Sequence, residues 1–444
     1  MPGPATPRRL PGSVLGFLRA DHRGGPDTDP MLRGTTLWLA ISVALAAGCG
    51  SKTGLDVPDG EVDAGPEAGL DAGVPCVEIV PDGGPIELPL ETQAEVGRAD
   101  VLFLIDVTAS MQDEIDGIRD QLRDRLAPAI EAEIRDTQLA VGTFGDFPID
   151  PYGDADDTPF ELLLPMTDDL TRVQAAVNAI ELGNGRDEAE SQVEALYQVA
   201  TGAGLGSYVP PSFGCPSGGF GYPCFRDDAL PIVLLFTDAP FHNGFAGRNR
   251  YSGSIAPAPH VYEDARDELV AAGIRVIGFD SGGGDAGQDL RQVASDTGAL
   301  DGSGGPLVFN IGRRGESLGT GVVDAMKTFA DAVVFDIDLL LVDPVPGDGV
   351  DVTGFVERIV PLRADPADGI ESIDVGAGVF RGVTSGTTVT FQLVLRNDIV
   401  APGPTARRFN LEVIFRGDGR TRLARRIVTI VVPGADGTGC DDPL

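Results

Sequence analysis

The stretch Leu102–Met111, L-F-L-I-D-V-T-A-S-M, runs apolar and then stops on Asp106, Thr108 and Ser110. One carboxylate and two hydroxyls at alternate positions, where a buried strand releases the chain into a turn, suit a hard divalent cation held by oxygen atoms. With so little negative charge around it, such an ion retains affinity for one more carboxylate, which a partner can supply. The plainer alternative is that Asp106 caps a helix beginning near Ser110, a common role for Asp, Ser and Thr.

These residues need a rigid frame. Between residues 98 and 334, apolar runs alternate with amphipathic ones. Strands are expected at Val101–Ile105, Gln138–Phe144, Phe160–Pro165, Pro231–Phe236, Ile274–Phe279 and Leu307–Ile311. Helices are expected at Gln112–Glu133, Leu170–Ile180, Glu190–Ala203, Val261–Ala272, Gly287–Thr297 and Leu318–Val333. In the first helix Ile115, Ile118, Leu122, Leu126 and Ile130 recur at three- and four-residue steps. The alternation predicts an α/β domain with a doubly wound, mostly parallel sheet, which places ligands at the carboxyl ends of its strands. From residue 335 to about 434 the helical period is lost. Segments rich in Val and Thr, parted by Gly-Asp, Ser-Gly and Pro-Gly turns, predict an immunoglobulin-like β-sandwich. Residues 76–97 read as a short lead-in segment and 435–444 as a C-terminal tail.

Composition narrows the function. The chain carries 68 Asp+Glu against 33 Lys+Arg, a formal charge of −35. Such a surface repels nucleic acid and suits cation binding. With only His22, His242 and His260, sites built on several histidines are not expected. At the amino end, Met31-Leu-Arg-Gly precedes the apolar stretch 37–47, which ends in A-L-A-A-G-C at Cys49. This resembles a bacterial lipoprotein signal, so residues 1–48 are expected to be a leader and signal peptide and Cys49 the lipidated residue. Residues 49–75 are rich in Asp, Gly, Pro and Ala without apolar periodicity. They read as a disordered acidic tether spanning roughly 25–30 Å. In an oxidising compartment the other four cysteines are expected to form disulfides. Cys215 and Cys224 bracket a Gly/Pro-rich loop, and Cys76 and Cys440 flank everything that looks folded.

The D-V-T-A-S motif, Asp106–Ser110, resembles the metal-binding signature of the von Willebrand factor A family, with Thr108 in place of a serine. The second apolar strand ends in Thr237-Asp238-Ala239, like that family's third loop. Gly185-Arg-Asp-Glu-Ala-Glu-Ser-Gln resembles the second loop of the A-type domains found in integrin β polypeptides, Asp187 and Glu190 matching its two acids and Ala189 standing for its proline. Gln112-Asp113-Glu114 and Phe144-Gly-Asp146-Phe-Pro resemble segments that serve flanking calcium ions there. The resemblance implies a metal-ion-dependent adhesion site. Asp106, Thr108, Ser110 and Glu190 would hold Mg²⁺ or Mn²⁺, and Asp238 would orient waters. Asp113 and Glu114 would serve one adjacent Ca²⁺; Asp146 and Asp187, with Glu190, would serve another, although Gly185 stands where the family has an asparagine. His242 is expected to pack on the third loop and contribute shape, and the Cys215–Cys224 loop to form a lid or partner surface. The implied function is a non-enzymatic, metal-dependent protein-binding module. It would be lipid-anchored to the cell envelope, at the outer membrane, and its metal would be completed by an Asp or Glu of a protein partner. The alternatives are a structural lipoprotein with a degenerate metal site, and a metal-assisted hydrolase using Asp106 as nucleophile.

Overall fold

The computed structural model describes residues 75–440 except 82 and 217. The expected leader, the lipidation at Cys49, the tether and the last four residues lie outside these. In chain order the elements are β1 (Cys76–Glu78), β2 (Ile86–Gln93), β3 (Arg98–Asp106), α1 (Gln112–Gln121), α2 (Ala127–Glu133), β4 (Asp136–Phe144), β5 (Glu161–Thr167), α3 (Leu170–Asn178), α4 (Gln192–Thr201), β6 (Leu230–Thr237), α5 (Tyr262–Ala271), β7 (Arg275–Asp280), α6 (Asp285–Asp296), β8 (Val308–Asn310) and α7 (Leu318–Ala332). Then follow β9 (Val334–Val342), β10 (Val356–Asp365), β11 (Ser372–Asp374), β12 (Val379–Thr384), β13 (Thr388–Leu395), β14 (Arg407–Gly417) and β15 (Thr421–Val432).

Strands β5-β4-β3-β6-β7-β8 form one sheet, parallel throughout except for the antiparallel edge pair β4–β5. Alternate residues of β3 feed two cores. Val101, Phe103 and Ile105 join the cluster that includes Ile115, Ile118 and Phe329. Leu102 and Leu104 join the one that includes Leu196, Val199 and Leu269. Helices therefore cover both faces, which is why the strands read as unbroken apolar runs. Strand order reverses between β3 and β6, so the crevice at their carboxyl ends is the natural ligand site. The expected helix over 112–133 is continuous in position, but residues 122–126 wind as a wider turn. Pro128 has no N–H to return to the preceding turn, which accounts for this local loosening.

The sandwich pairs the sheet β1-β15-β14-β9-β12-β11 with the sheet β10-β13-β2. Residues 76–97 are thus not a lead-in. Strand β1 lies parallel to β15, and β2 pairs antiparallel with β13 along all eight of its residues, Ile86 opposite Leu395 and Gln93 opposite Thr388. The I-E-L-P-L-E-T-Q alternation of β2 needs a sheet to bury its inner face, and β13 supplies it. The α/β domain is therefore inserted within the sandwich, between β2 and β9. The Cys76–Cys440 disulfide closes the sandwich ends, and Cys215 pairs with Cys224.

The two parts meet where β3, β4, β6 and β7 begin. Arg98 binds Asp136 and Asp228, Arg226 binds Asp100 and Asp136, and Arg422 of β15 reaches Asp136 (3.7 Å) and Asp228 (3.5 Å). Arg420 donates to the Ala272 carbonyl and lies over the Phe220 ring. The Cys215–Cys224 loop thus packs toward the sandwich, at the end of the sheet opposite the Asp106 turn, and is no lid over it. The reason lies in the chain path: the loop feeds the start of β6, not its end. Asp100 is fully buried, and its carboxylate accepts from the Arg226 backbone N–H and guanidinium. Replacing Arg226 with Ala leaves that charge uncompensated. Urea denaturation should show a loss of about 3 kcal/mol, against little change for Arg123→Ala, which is exposed in the wider turn after α1.

Candidate metal centre

Strand β3 ends on Asp106, which is completely buried. Its Oδ1 accepts from the Thr108 N–H (3.0 Å) and hydroxyl (2.7 Å), so the carboxylate closes its own turn rather than capping the following helix. Its Oδ2 accepts from the Thr237 hydroxyl at the end of β6 (2.7 Å). The Ser110 hydroxyl donates to Asp238 Oδ1 (3.0 Å) and lies 3.3 Å from the Thr108 oxygen. With each hydroxyl proton committed to a carboxylate, the oxygen lone pairs of Thr108 and Ser110 are free to accept a cation. Asp238, expected to act through water, contacts Ser110 directly, and Thr237, to which the sequence gives no role, holds Asp106.

The second loop is pinned from several sides. The Glu190 N–H donates to Pro240 O (3.0 Å) and its carbonyl accepts from His242 N (2.8 Å), tying this loop to the third. The Ser191 hydroxyl donates to Gly145 O and Pro159 O. Gln192 Nε2 donates to Thr237 Oγ1 and Ala239 O. These contacts aim Glu190, 3% exposed, at the Asp106 turn. Gly185 shows how close they come. It holds φ +62°, and a Cβ there would sit 3.0 Å from Glu190 Oε1 and 3.3 Å from Thr108 Cγ2. The position where the family carries an asparagine is a gap between Glu190 and Thr108 that a side chain would fill.

The electrostatics are those of carboxylates crowded without a counter-charge. Burial, opposed by the hydrogen bonds from Thr237 and Thr108, raises Asp106 to about 6. Burial, then repulsion from Asp106, Asp146 and Asp187, raises Glu190 to about 11. Glu190 Oε2 is buried with no hydrogen-bond partner. A divalent cation beside Asp106 and Glu190 would reverse each of these penalties, so the residues present fit such an ion.

The flanking acids divide. Asp113 is exposed, with Arg314 at 3.9 Å, while the next residue, Glu114, turns inward. Burial lifts Glu114 to about 7, and its Oε2 has no partner. On the other side Asp146 Oδ2 and Asp187 Oδ2 converge on one point, 3.3 and 3.1 Å from His242 Nε2. Glu190 is not part of that trio. His242, expected only to shape the third loop, stands instead between the two acids. Its position after Thr237-Asp-Ala-Pro-Phe is visible in the sequence, but nothing there shows that two distant loops turn toward it.

No family model matches the chain. Against curated proteins, it is 24% identical over 184 residues to integrin beta-6 of Rattus norvegicus and of Mus musculus, covering 37% of this chain and 21% of theirs. The chain thus spans about a fifth of the length of these relatives. The strand order and the D-V-T-A-S turn at the point where that order reverses are in keeping with this partial likeness to integrin β sequence. Among solved structures, the chain is similar to a von Willebrand factor type A protein from Catenulispora acidiphila, at 11% identity and TM-score 0.34 over 81% of this chain and 72% of that one. It is also similar to the pilus adhesin SpaC from Lactobacillus rhamnosus GG, at 12% and TM-score 0.32 over 82% and 46%. A third is proximal thread matrix protein 1 of the mussel byssus, at 16% and TM-score 0.32 over 56% and 51%.

The raised acids of this α/β domain give its stability a defined pH dependence. In chelator, each is protonated more readily folded than unfolded. Its contribution is full below about pH 4, the unfolded value, and is lost as pH rises through the folded one. Calorimetric melting in EDTA should therefore fall from about pH 4 upward, with on the order of 3 kcal/mol from Asp106 alone, nearly all of it lost by about pH 7. Saturating Mg²⁺ should flatten that fall.

Proposed function

We propose that the α/β domain is an integrin-like von Willebrand factor A domain and that this protein is a divalent-metal-dependent adhesion module of a bacterial cell envelope. The observation that supports it most is the meeting of two buried acids from separate loops, Asp106 and Glu190, with the hydroxyls of Thr108 and Ser110 beside them. Asp106, Thr108, Ser110 and Glu190 would hold Mg²⁺ or Mn²⁺, with Asp238 steadied through Ser110. When bound, the ion offers an open coordination position that a carboxylate can fill. The protein's part is to keep the ligands in place by the Thr237, Gln192 and Ser191 contacts, and to present the third loop beside them. Glu114 and Asp113 provide oxygen for a neighbouring Ca²⁺.

A partner's Asp or Glu side chain is the proposed ligand. Both described disulfides fit an oxidising compartment, and among the described residues no helix is long and apolar enough to cross a membrane. Attachment would come from lipid on Cys49, at the outer membrane. The geometry favours ion holding over nucleophilic attack by Asp106: both its oxygens are engaged by Thr108 and Thr237, and it has no exposed surface.

Titration calorimetry should show Mg²⁺ or Mn²⁺ binding to the chelator-stripped chain and none to Asp106→Ala. A chain that gives no heat, and whose melting point is the same with and without chelator, would refute the proposal. Pull-down from envelope extract should yield a partner in Mg²⁺ that is lost in chelator and with Asp106→Ala. Filling the gap at Gly185 with Ala, whose methyl meets Glu190 and Thr108 at a left-handed backbone position, should weaken Mg²⁺ binding by roughly 10–100-fold.

A further inference from the structure

We infer that Asp146, Asp187 and His242 form a second, chemically distinct metal site, which takes a transition metal of the Zn²⁺ or Co²⁺ class rather than calcium. The inference does not rest on the adhesion reading, since none of the three ligands belongs to the Asp106 site.

The histidine sets the chemistry. Its Nδ1 lies 2.6 Å from the Asn249 carbonyl, which can only accept, so Nδ1 carries the proton and donates it. In the neutral ring Nε2 is then a bare lone pair. It faces Asp187 Oδ2 at 3.1 Å and Asp146 Oδ2 at 3.3 Å, two further acceptors. Three lone pairs directed at one point repel unless a proton on Nε2 or a metal cation sits among them, and a single Nε2 proton, directed at Asp187, leaves the buried Asp146 Oδ2 without a hydrogen bond. A ring nitrogen whose partner nitrogen is fixed by a backbone carbonyl is also the usual arrangement of a metal-bound histidine.

The surroundings are built to hold that geometry. His242 is 4% exposed, stacked on Tyr251 (ring centroids 4.1 Å apart) and met edge-on by Tyr152 (5.2 Å). Asp146 has no exposed surface. Its Oδ1 is taken by the Phe147 N–H and the Tyr251 hydroxyl, which turns Oδ2 toward the histidine, and Oδ2 has no hydrogen-bond partner. Asp187 closes the site from the solvent side, so an ion has a way in.

Ligand type and spacing select the metal. Calcium and magnesium prefer oxygen and make little of imidazole, whereas zinc, cobalt, nickel and copper favour it. Ligand atoms 2.0–2.1 Å from a tetrahedral Zn²⁺ lie about 3.3 Å apart, close to the two separations seen. Solvent can supply the remaining position beside Asp187.

The test uses the full chain, stripped with chelator and titrated with Co²⁺ in excess Mg²⁺, following visible ligand-field absorption. One equivalent should bind, be displaced by Zn²⁺ and resist displacement by Ca²⁺. His242→Ala should weaken binding at least tenfold, and Asp187→Asn, on an exposed loop where folding is not at stake, should do likewise. Asp106→Asn should lose Mg²⁺ heat and keep the Co²⁺ band, which separates this site from the first. The inference is overturned by any of three results: no band in the native chain, a band indifferent to His242→Ala and Asp187→Asn, or displacement by Ca²⁺ as easily as by Zn²⁺.

Discussion

The carboxyl end of the α/β domain is governed by the burial of carboxylates near one another. Asp106, Glu190, Asp146 and Glu114 are all withdrawn from water at the same end of one sheet, and three of them keep an oxygen without a hydrogen-bond partner. Burial lifts each above the ordinary carboxylate range. Folding alone does not repay such a cost, because a buried charge needs a partner. Arginine meets that need at the far end of the sheet, where Arg98, Arg226 and Arg422 face Asp100, Asp136 and Asp228. At the carboxyl end the described structure shows no Lys or Arg bound to these four acids. The two ends thus differ: one balances its carboxylates with arginines, and the other leaves them without one among the described residues.

That contrast also assigns tasks to the two ends. The arginine network, the Arg420 contacts and the return of the chain into β9 hold the sandwich against the starts of the strands. The Asp106 turn is left facing the other way. Because the α/β domain is inserted between β2 and β9, it is held to the sandwich by two covalent connections rather than one. Ala94 N–H donates to Thr387 O, and Ser385 N–H to Val333 O, on either side of that double crossing. A module tied in this way presents its Asp106 end with less freedom than one on a single linker.

The α/β fold was legible because its signals are local. Unbroken apolar strands and 3.6-residue periodicity appear within a dozen residues, and each expected strand and helix of this domain has its counterpart. The sandwich was legible only in part. Strand β2 shows plain alternation, yet its partner β13 lies beyond the whole α/β domain, so nothing nearby marked it as a sandwich strand. The same distance effect governs the candidate site. Asp106, Thr108 and Ser110 sit in one turn and could be read together. Thr237, Gln192 and Ser191 act through bonds between loops, and His242 gains its meaning only when Asp146 and Asp187 arrive from elsewhere. Gly185 departs from the family pattern in sequence. Only the backbone shows that the departure leaves a gap between Glu190 and Thr108 rather than a missing support.

The central claim is that Asp106 and Glu190 share one ion. An anomalous difference map from crystals of the protein grown in Mn²⁺ tests it most directly. The account predicts a peak within coordinating distance, directly or through one water, of both carboxylates and of the Thr108 and Ser110 hydroxyls. Crystals in which those carboxylates face apart, or in which manganese collects only at sites that leave Asp106 untouched, would contradict it.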